Sequence, residues 1–583
     1  MNTITHQLTL KVSQAFAACG YDAKLGIVSV SDRLDLCQFQ CNGALAGAKL
    51  YKKAPLMIAN EILPLLEKDP AFRDVQVVAP GFINLNLQDA YLIQRAKEIA
   101  SSDQHGIPQL APSKTILLDY GGPNIAKPLH IGHLRSAVIG EALKRLAKAM
   151  GQTVIADIHM GDWGLQMGLV IAEMEVRYPH WNCFQADYQS QEGTVPSFSA
   201  DELNEIYPFA SKKSKENPEF KQTAQAITAS LQKGHAGYRA LWKEIVRISV
   251  CDLKQNYEAL DVSFDLWYGE SDAQPYLETL FEVLEEKKLL EESEGAMVVS
   301  VVEEDDKAPM PPVIIKKSDD SSIYATTDLA TIIQREKDFH PDEIWYVVDN
   351  RQGLHFTQVF RCAKKAALIP AETAMLHLGF GTMNGSDGKP YKTRDGQVMQ
   401  LSALLNKVYE TAKTNIQNNT EENLDMDDIA RKLSIAAIKF GDLMNHRTKD
   451  YQFDIDKFLS MEGKTGAYLL YTVARMNSIL KKLPEEQTFQ MHDVYSTSDR
   501  ELLLTIILGS EAFQKAYQEK APNYICEHAY QLAVAFSKFY HENHIVREQD
   551  PKKKQSWINL CILTRTLLLT YLNILGIEAV ERM

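Results

Sequence analysis

No apolar run in the sequence reaches the roughly 18–20 residues that a membrane span needs; the longest, LLLTIILG and TLLLTYLNILGI, fall short. The opening MNTITHQLTL lacks a basic stretch followed by an apolar one, so no secretory signal is expected. The chain reads as cytoplasmic, with no membrane partner. Cysteine is sparse: 8 scattered residues contain no CxxC pair, and Cys37 and Cys41 have no second pair nearby. That excludes a disulfide framework or a zinc ribbon and leaves free thiols in a reducing compartment, with no metal-ligating set. Positive charge is outnumbered, 62 Lys and Arg against 76 Asp and Glu, for a net −14. A protein that simply coats nucleic acid is thereby disfavoured, though a local patch is not. Candidate patches are Lys212, Lys213 and Lys215, then Lys364 and Lys365, then Lys552, Lys553 and Lys554; solvated loops are the competing reading. The phosphate loop G-x-x-x-x-G-K-[ST] is missing too, as is any internal repeat.

What is present is a globular composition, 45% hydrophobic and 24% charged, over 583 residues. That length calls for about three or four domains. Residues 1–110 read as a small α+β domain. QLTLKVSQAFAACG has helical spacing, SDRLDLCQFQ begins with alternation at Leu34, Leu36 and Cys37, and VQVVAPGFINLNL reads as two strands joined at Pro80-Gly81. Residues 111–405 read as an α/β core on a parallel sheet of the Rossmann type. KTILLDY predicts a buried strand; Leu134, Val138, Ala142, Leu146 and Met150 predict a helix; QTVIADIH predicts the next strand, completing a βαβ unit. Polar residues 180–235 lack sustained alternation and read as part of an insertion at about 170–260. Strand-like segments return at GAMVVSVVEE, PPVIIKKS, EIWYVVDN and AMLHLGFG. From about residue 402 the pattern is helical, with a junction at 406–465 and an all-α module at 466–583.

The chemistry concentrates in DYGGPNIAKPLHIGHLRS, residues 119–136. A helix N-terminus attracts anions through its unpaired amides and dipole. His130 and His133 stand there three apart, on one face of the first turn. Gly132 between them opens the backbone to a ligand, and Lys127 adds a fixed charge. This constellation predicts a site for the phosphates of ATP, with catalysis by charge stabilisation rather than a covalent step.

The string HIGH at 130–133 resembles the signature of class I aminoacyl-tRNA synthetases, and its context resembles the arginyl-tRNA synthetases in particular. GDWGLQMG, YGES, YATTDLA, YVVDNRQGLHFTQVF, LGFGTMNGSDGKPYKTRDG, GDLMNHRTKDYQFD and EGKTGAYLLY fit the same family in order. The resemblance implies ATP as substrate with Mg2+, L-arginine and tRNA(Arg) as partners, and a monomer. It implies His130, Gly132, His133, Lys127 and Lys392 against ATP, with Lys389 and Lys392 joining Lys127 and the histidines in catalysis. The usual Lys-Met-Ser-Lys-Ser loop is absent, and GKPYKTRDG, punctuated by Gly385, Gly388 and Gly396, stands in its place. Asp119, Asn124, His130, Tyr324, Asp328 and Gln352 would line the amino-acid pocket, since a guanidinium calls for acceptors in fixed geometry. The competing readings are an N-cap for Asp328 and core packing for Tyr324. The N-terminal module would meet the tRNA elbow. The C-terminal helices would bind the anticodon, with Tyr468, Tyr471 and Arg475 stacking on bases; helix core is the competing reading for that stripe.

Two other functions compete. A small-molecule adenylyltransferase can carry the same motif, yet needs no helical C-terminal module. A catalytically silent RNA-binding relative predicts damaged motif residues, and His130, His133, Gly132, Lys127, Tyr324, Asp328 and Gln352 are all present.

Overall fold

The computed structural model describes residues 2–185, 188, 195–317, 324–385, 387–389, 399–417, 425–483 and 489–583. Its centre is a four-stranded parallel sheet in the spatial order Ala374–His377, Glu343–Tyr346, Thr115–Asp119, Thr153–Asp157. Ile116, Leu117 and Leu118 are fully buried, as a strand covered on both faces requires. The chain runs outward from Thr115–Asp119 to one edge, then returns to build the other edge from Glu343–Tyr346. The sheet order therefore reverses between the two central strands, which is where open α/β sheets bind ligands. The parallel register sets His377, Tyr346, Asp119 and Asp157 in one row across the carboxyl edge.

The helix Ile131–Ala149 follows the first strand and is buried nearly all round, including Leu134, Val138, Ala142 and Leu146. Gly140 lets it lie against Tyr120: a Cβ there would stand 2.2 Å from the ring. Ser136 clips the crevice, accepting from the Gly121 amide at 2.8 Å and donating to the Val347 carbonyl at 2.7 Å.

The polar stretch read as an insertion forms helices, Ala200–Glu216 and Pro218–Gln232, which with Ala236–Ala259 pack beside Leu165–Arg177. GAMVVSVVEE and PPVIIKKS contribute strands Ala296–Val299 and Val313–Lys316. These belong to a separate antiparallel sheet with Leu290–Ser293 rather than to the main one. In the N-terminal domain the hairpin Phe72–Val78 and Phe82–Leu87 forms as expected. The alternation at Leu34 and Leu36 is not a strand: the residues lie in a turn, 51% and 62% exposed, where Arg33 pairs with Asp35.

The C-terminal module is a bundle of helices including Gly466–Leu480, Thr497–Ile507, Gly509–Glu519, Asn523–Glu542 and Pro551–Ile574. Pro551–Ile574 is, among the described residues, the one helix long and apolar enough to cross a membrane; 67% of its apolar window is buried in the bundle. The sequence shows no unbroken run of that length here because Asn559, Thr564, Arg565, Thr566, Thr570 and Asn573 interrupt it. The N-terminal domain docks on this bundle. Arg500 donates to Asp89 Oδ1 at 2.7 Å and to the Leu87 carbonyl at 2.6 Å, and Thr5 donates to Glu511.

Arg135 locks the core to the helical part. Its Nε lies 3.0 Å from Asp442 Oδ2, with side chains 2% and 0% exposed, and its Nη1 donates to the carbonyls of Gly381 and Lys449. Breaking a buried pair strands the remaining charge. Arg135→Met is therefore expected to cost about 3–5 kcal/mol in urea unfolding; a loss below about 1 kcal/mol would contradict this account.

Candidate active site

His130 is the N-cap of Ile131–Ala149. Its Nδ1 accepts from the Gly132 amide at 3.0 Å, while His133 Nδ1 accepts from the His130 amide at 3.1 Å. With both Nδ1 atoms engaged as acceptors, each neutral ring carries its proton on Nε2. The rings lie 3.9 Å apart, centroid to centroid. Burial, with Lys127 nearby, lowers the His130 imidazole to about 4; burial, His130 and Lys127 lower His133 to about 3. Both are thus neutral donors at pH 7, and Lys127 brings the positive charge. Gly132 has a nearer duty than opening the backbone: a Cβ there would stand 2.8 Å from His130 Cε1.

The loop before the helix is pinned from two sides. Ile125 donates to the Gly161 carbonyl at 2.9 Å and Gly161 to the Pro123 carbonyl at 3.0 Å. Gly161 leaves room for the Asn124 side chain, since a Cβ would come within 2.3 Å of Asn124 Oδ1 and force it to turn. Ala126 adopts φ 61°, a left-handed conformation that costs a non-glycine residue about 1–3 kcal/mol. Its amide donates to Ser249 Oγ of the insertion at 3.2 Å. Lys127 follows, half-buried, with no ion pair among the described residues.

Asp119 ends its strand at the carboxyl edge. Arg335, on the helix Tyr324–Phe339, donates from one nitrogen to Asp119 Oδ2 at 2.6 Å and to Asp157 Oδ2 at 2.7 Å. Burial raises the Asp119 carboxyl, and Arg335 opposes the shift. Two carboxylates thus share one internal guanidinium. Asp328 lies inside that same helix, four residues after Tyr324, so it is no N-cap. Its Oδ2 is 2.6 Å from His355 Nε2. Tyr324 is 71% exposed, which excludes core packing.

Two acids escaped the sequence reading. Glu270, in YGES, is half-buried beside Asp162 and Asp328, and burial first, then these neighbours, push its carboxyl up to about 7. Burial raises Asp162 to about 6; its two oxygens accept from the Ser271 amide at 3.0 Å and hydroxyl at 2.6 Å. The signal available was the family segment itself, in which neither acid was given a role.

Asp119, Asn124, Lys127, His130 and His133 come together at the carboxyl edge of the central strand. Tyr324, Asp328 and Glu270 form the acidic side. The buried Tyr346 hydroxyl lies near charges of both halves, Arg335 and Asp119 on one side and Asp328 on the other. Gln352 ends the turn Asn350–Gln352 after the neighbouring strand and is exposed. Lys389 is exposed in a turn whose carbonyl accepts from the Gly385 amide at 2.8 Å. Lys392 and Gly396 lie outside the described residues. Far from the site, Tyr468 bonds Ser537 at 3.1 Å, Arg475 lies over the Tyr540 ring, and Tyr471 is 43% exposed. Of the lysine patches, Lys213 pairs with Glu173 and Lys364 caps carbonyls of Pro370, Ala371 and Thr373, so neither is a free cation.

Residues 95–455 match the family described as tRNA synthetases class I (R), catalytic domain. The flanks match the arginyl tRNA synthetase N terminal domain at 3–87 and the DALR anticodon binding domain at 469–583. The arginine–tRNA ligase of Alkaliphilus oremlandii is 48% identical, with all of both chains covered. The chain belongs to the arginyl-tRNA synthetase family. That of Francisella tularensis, another member, is 40% identical over the whole of both chains. The fold agrees: the arginyl-tRNA synthetase of Plasmodium falciparum superposes with a TM-score of 0.83 at 24% identity, and that of Thermus thermophilus with 0.79 at 21%, each over the full length of both chains. Members of this family are ATP-dependent aminoacyl-tRNA ligases, and the Rossmann-type core, N-terminal domain and helical C-terminal domain of the chain are theirs.

Proposed function

We propose that this chain charges tRNA(Arg) with arginine by the following division of labour. The arginine carboxylate attacks the α-phosphorus of ATP; the bond to the β-phosphate oxygen breaks, and pyrophosphate leaves as the arginyl-adenylate forms. His130 and His133 donate from Nε2 to the phosphate oxygens, and Lys127 neutralises the charge that grows there. The lysines Lys389 and Lys392 of the glycine-punctuated loop complete the phosphate side. Asp328, Tyr324 and Glu270 receive the guanidinium. Asp119, which shares Arg335 with Asp157, suits the α-ammonium; Asn124 and Gln352 hold the remaining polar groups. A ribose hydroxyl of the terminal adenosine of the tRNA then attacks the anhydride carbonyl, and AMP leaves.

No cluster of three or more His, Cys, Asp or Glu able to hold a metal exists among the described residues. The triphosphate offers oxygens of the kind Mg2+ prefers, and the ion bound there would supply neutralisation of part of its charge. In the helical domain, Tyr471 offers an exposed ring for base stacking, supported by Tyr468 and Arg475. We propose a cytoplasmic monomer without membrane attachment.

The observation that carries this reading is the pair of imidazoles whose Nδ1 atoms accept backbone N–H groups at a helix start, on a loop tied through Ile125 and Gly161 to the Met160 carbonyl that accepts from the Glu270 amide. The test is exchange of labelled pyrophosphate into ATP, with and without tRNA. Exchange that requires arginine is expected. Exchange driven by another acid without tRNA, or none under any condition, would overturn it.

A further inference from the structure

His355 takes no part in the steps above. It lies on the helix Gly353–Lys365, three residues past Gln352, so both side chains leave one face of its first turn. Its Nε2 stands 2.6 Å from Asp328 Oδ2 on the facing helix, and both side chains are 28% exposed, at the wall of the pocket. A carboxylate only accepts, so the proton of this bond sits on Nε2. The ring meets Phe356 edge-on, centroids 5.4 Å apart at 75°, and Phe356 stacks on His377 at 5.0 Å. The donor is therefore backed by packed aromatic rings.

A lone carboxylate turns easily, because its terminal torsion has broad wells. A planar guanidinium is read best by oxygens whose plane is fixed before it arrives. We propose that His355 is a positioning residue for arginine selection. It holds Asp328 Oδ2 and thereby fixes the carboxylate plane, leaving Oδ1, and the second lone pair of Oδ2, to face the guanidinium. The inference rests on the reading of Asp328 as a guanidinium acceptor.

The experiment uses the full chain with tRNA and measures KM for arginine, KM for ATP and kcat in His355→Leu, His355→Gln, Asp328→Asn and the double variant His355→Leu/Asp328→Asn. A hydrogen bond to a charged group is at stake, so His355→Leu should raise KM for arginine about 10- to 100-fold while KM for ATP stays within about threefold. His355→Gln keeps a donor and should recover most of the loss. The double variant should be no worse than Asp328→Asn alone, because the histidine acts only through that carboxylate. Thermal unfolding separates this effect from a general loss of fold. Unchanged KM for arginine in His355→Leu, equal rises in both KM values, or additive losses in the double variant would overturn the inference. If Asp328→Asn itself leaves KM for arginine intact, the pocket reading falls with it. If Asp328→Asn raises that KM and His355→Leu does not, only the positioning role falls.

Discussion

Replacing Asp328 by asparagine is expected to lower kcat/KM for arginine on the order of 100- to 1,000-fold. The effect should fall mainly on KM, with KM for ATP nearly unchanged. The argument is electrostatic. Asp328 faces the pocket beside Glu270, whose carboxyl is pushed up to about 7 by burial, Asp162 and Asp328. Two acids close together in a half-buried site resist holding two charges. The empty pocket therefore keeps a proton on Glu270 near neutral pH, and an arriving guanidinium expels it. Arginine binding should accordingly release a proton and weaken as pH falls below about 7, by up to about tenfold per unit. In Asp328→Asn one of the neighbours that raise Glu270 is gone while burial and Asp162 remain, so the break should move part of the way to lower pH. Isothermal titration in buffers of different ionisation enthalpy reads the proton directly. An unmoved break, or undiminished arginine affinity, would defeat this account of the pocket.

Replacing His133 by alanine is expected to lower the rate of adenylate formation about 100- to 1,000-fold, the usual scale for deleting one preorganised donor to a developing anion. Arginine binding should change little, since the imidazole lies on the phosphate side. The same ring caps the helix by accepting from the His130 amide, so a stability loss of about 1 kcal/mol should accompany the rate loss. The pH behaviour separates the two roles. With His130 lowered to about 4 and His133 to about 3, neither ring gains a proton between pH 8 and 6. The chemical step should therefore show no break from them in that range. Unfolded histidine titrates near 6.5, so below that the unfolded chain binds more protons, and stability falls as pH drops toward 3. Acid should thus defeat these histidines by unfolding the protein before it charges them in the folded state. Rapid-quench rates and denaturation midpoints across pH test both halves.

Much of this site is local in the chain and was legible for that reason. The buried strand, the turn and the helix from Gly132 announce themselves in some thirty consecutive residues, and the histidine pair needs only a helical first turn to be placed. The Asp119–Arg335–Asp157 cluster was illegible because parallel register sets the two acids side by side while their shared base, on a helix, lies 216 and 178 positions further along the chain. Glu270 was illegible for another reason: what marks it is burial beside other acids, which no spacing encodes. Helices Ala200–Glu216 and Pro218–Gln232 were hidden by polar residues that dilute a real spacing, Leu203, Ile206 and Ala210 in the first, Phe220, Ala224, Ile227 and Leu231 in the second. Leu34 and Leu36 misled in the opposite sense, alternating without a sheet partner to bury them.

The contacts between Arg500 and Asp89 and between Thr5 and Glu511 span 411 and 506 positions of chain. During synthesis at about 5–20 residues per second, the first domain waits roughly 20–80 seconds for its docking surface to be made. In the finished protein Ile4, Leu8, Phe16, Phe39, Ile83 and Leu85 are all at 0% exposure, in a hydrophobic core continuous with that of the helical bundle. What it holds open in the meantime includes a hydroxyl and an amide at Thr5, a carboxylate at Asp89 and a carbonyl at Leu87, all content in water, and also the faces of Ile4–Ala18 and Asp89–Ser101 that pack on Gly509–Glu519 and Thr497–Ile507. The nascent chain therefore carries an unpaired docking face until the back end arrives to cover it.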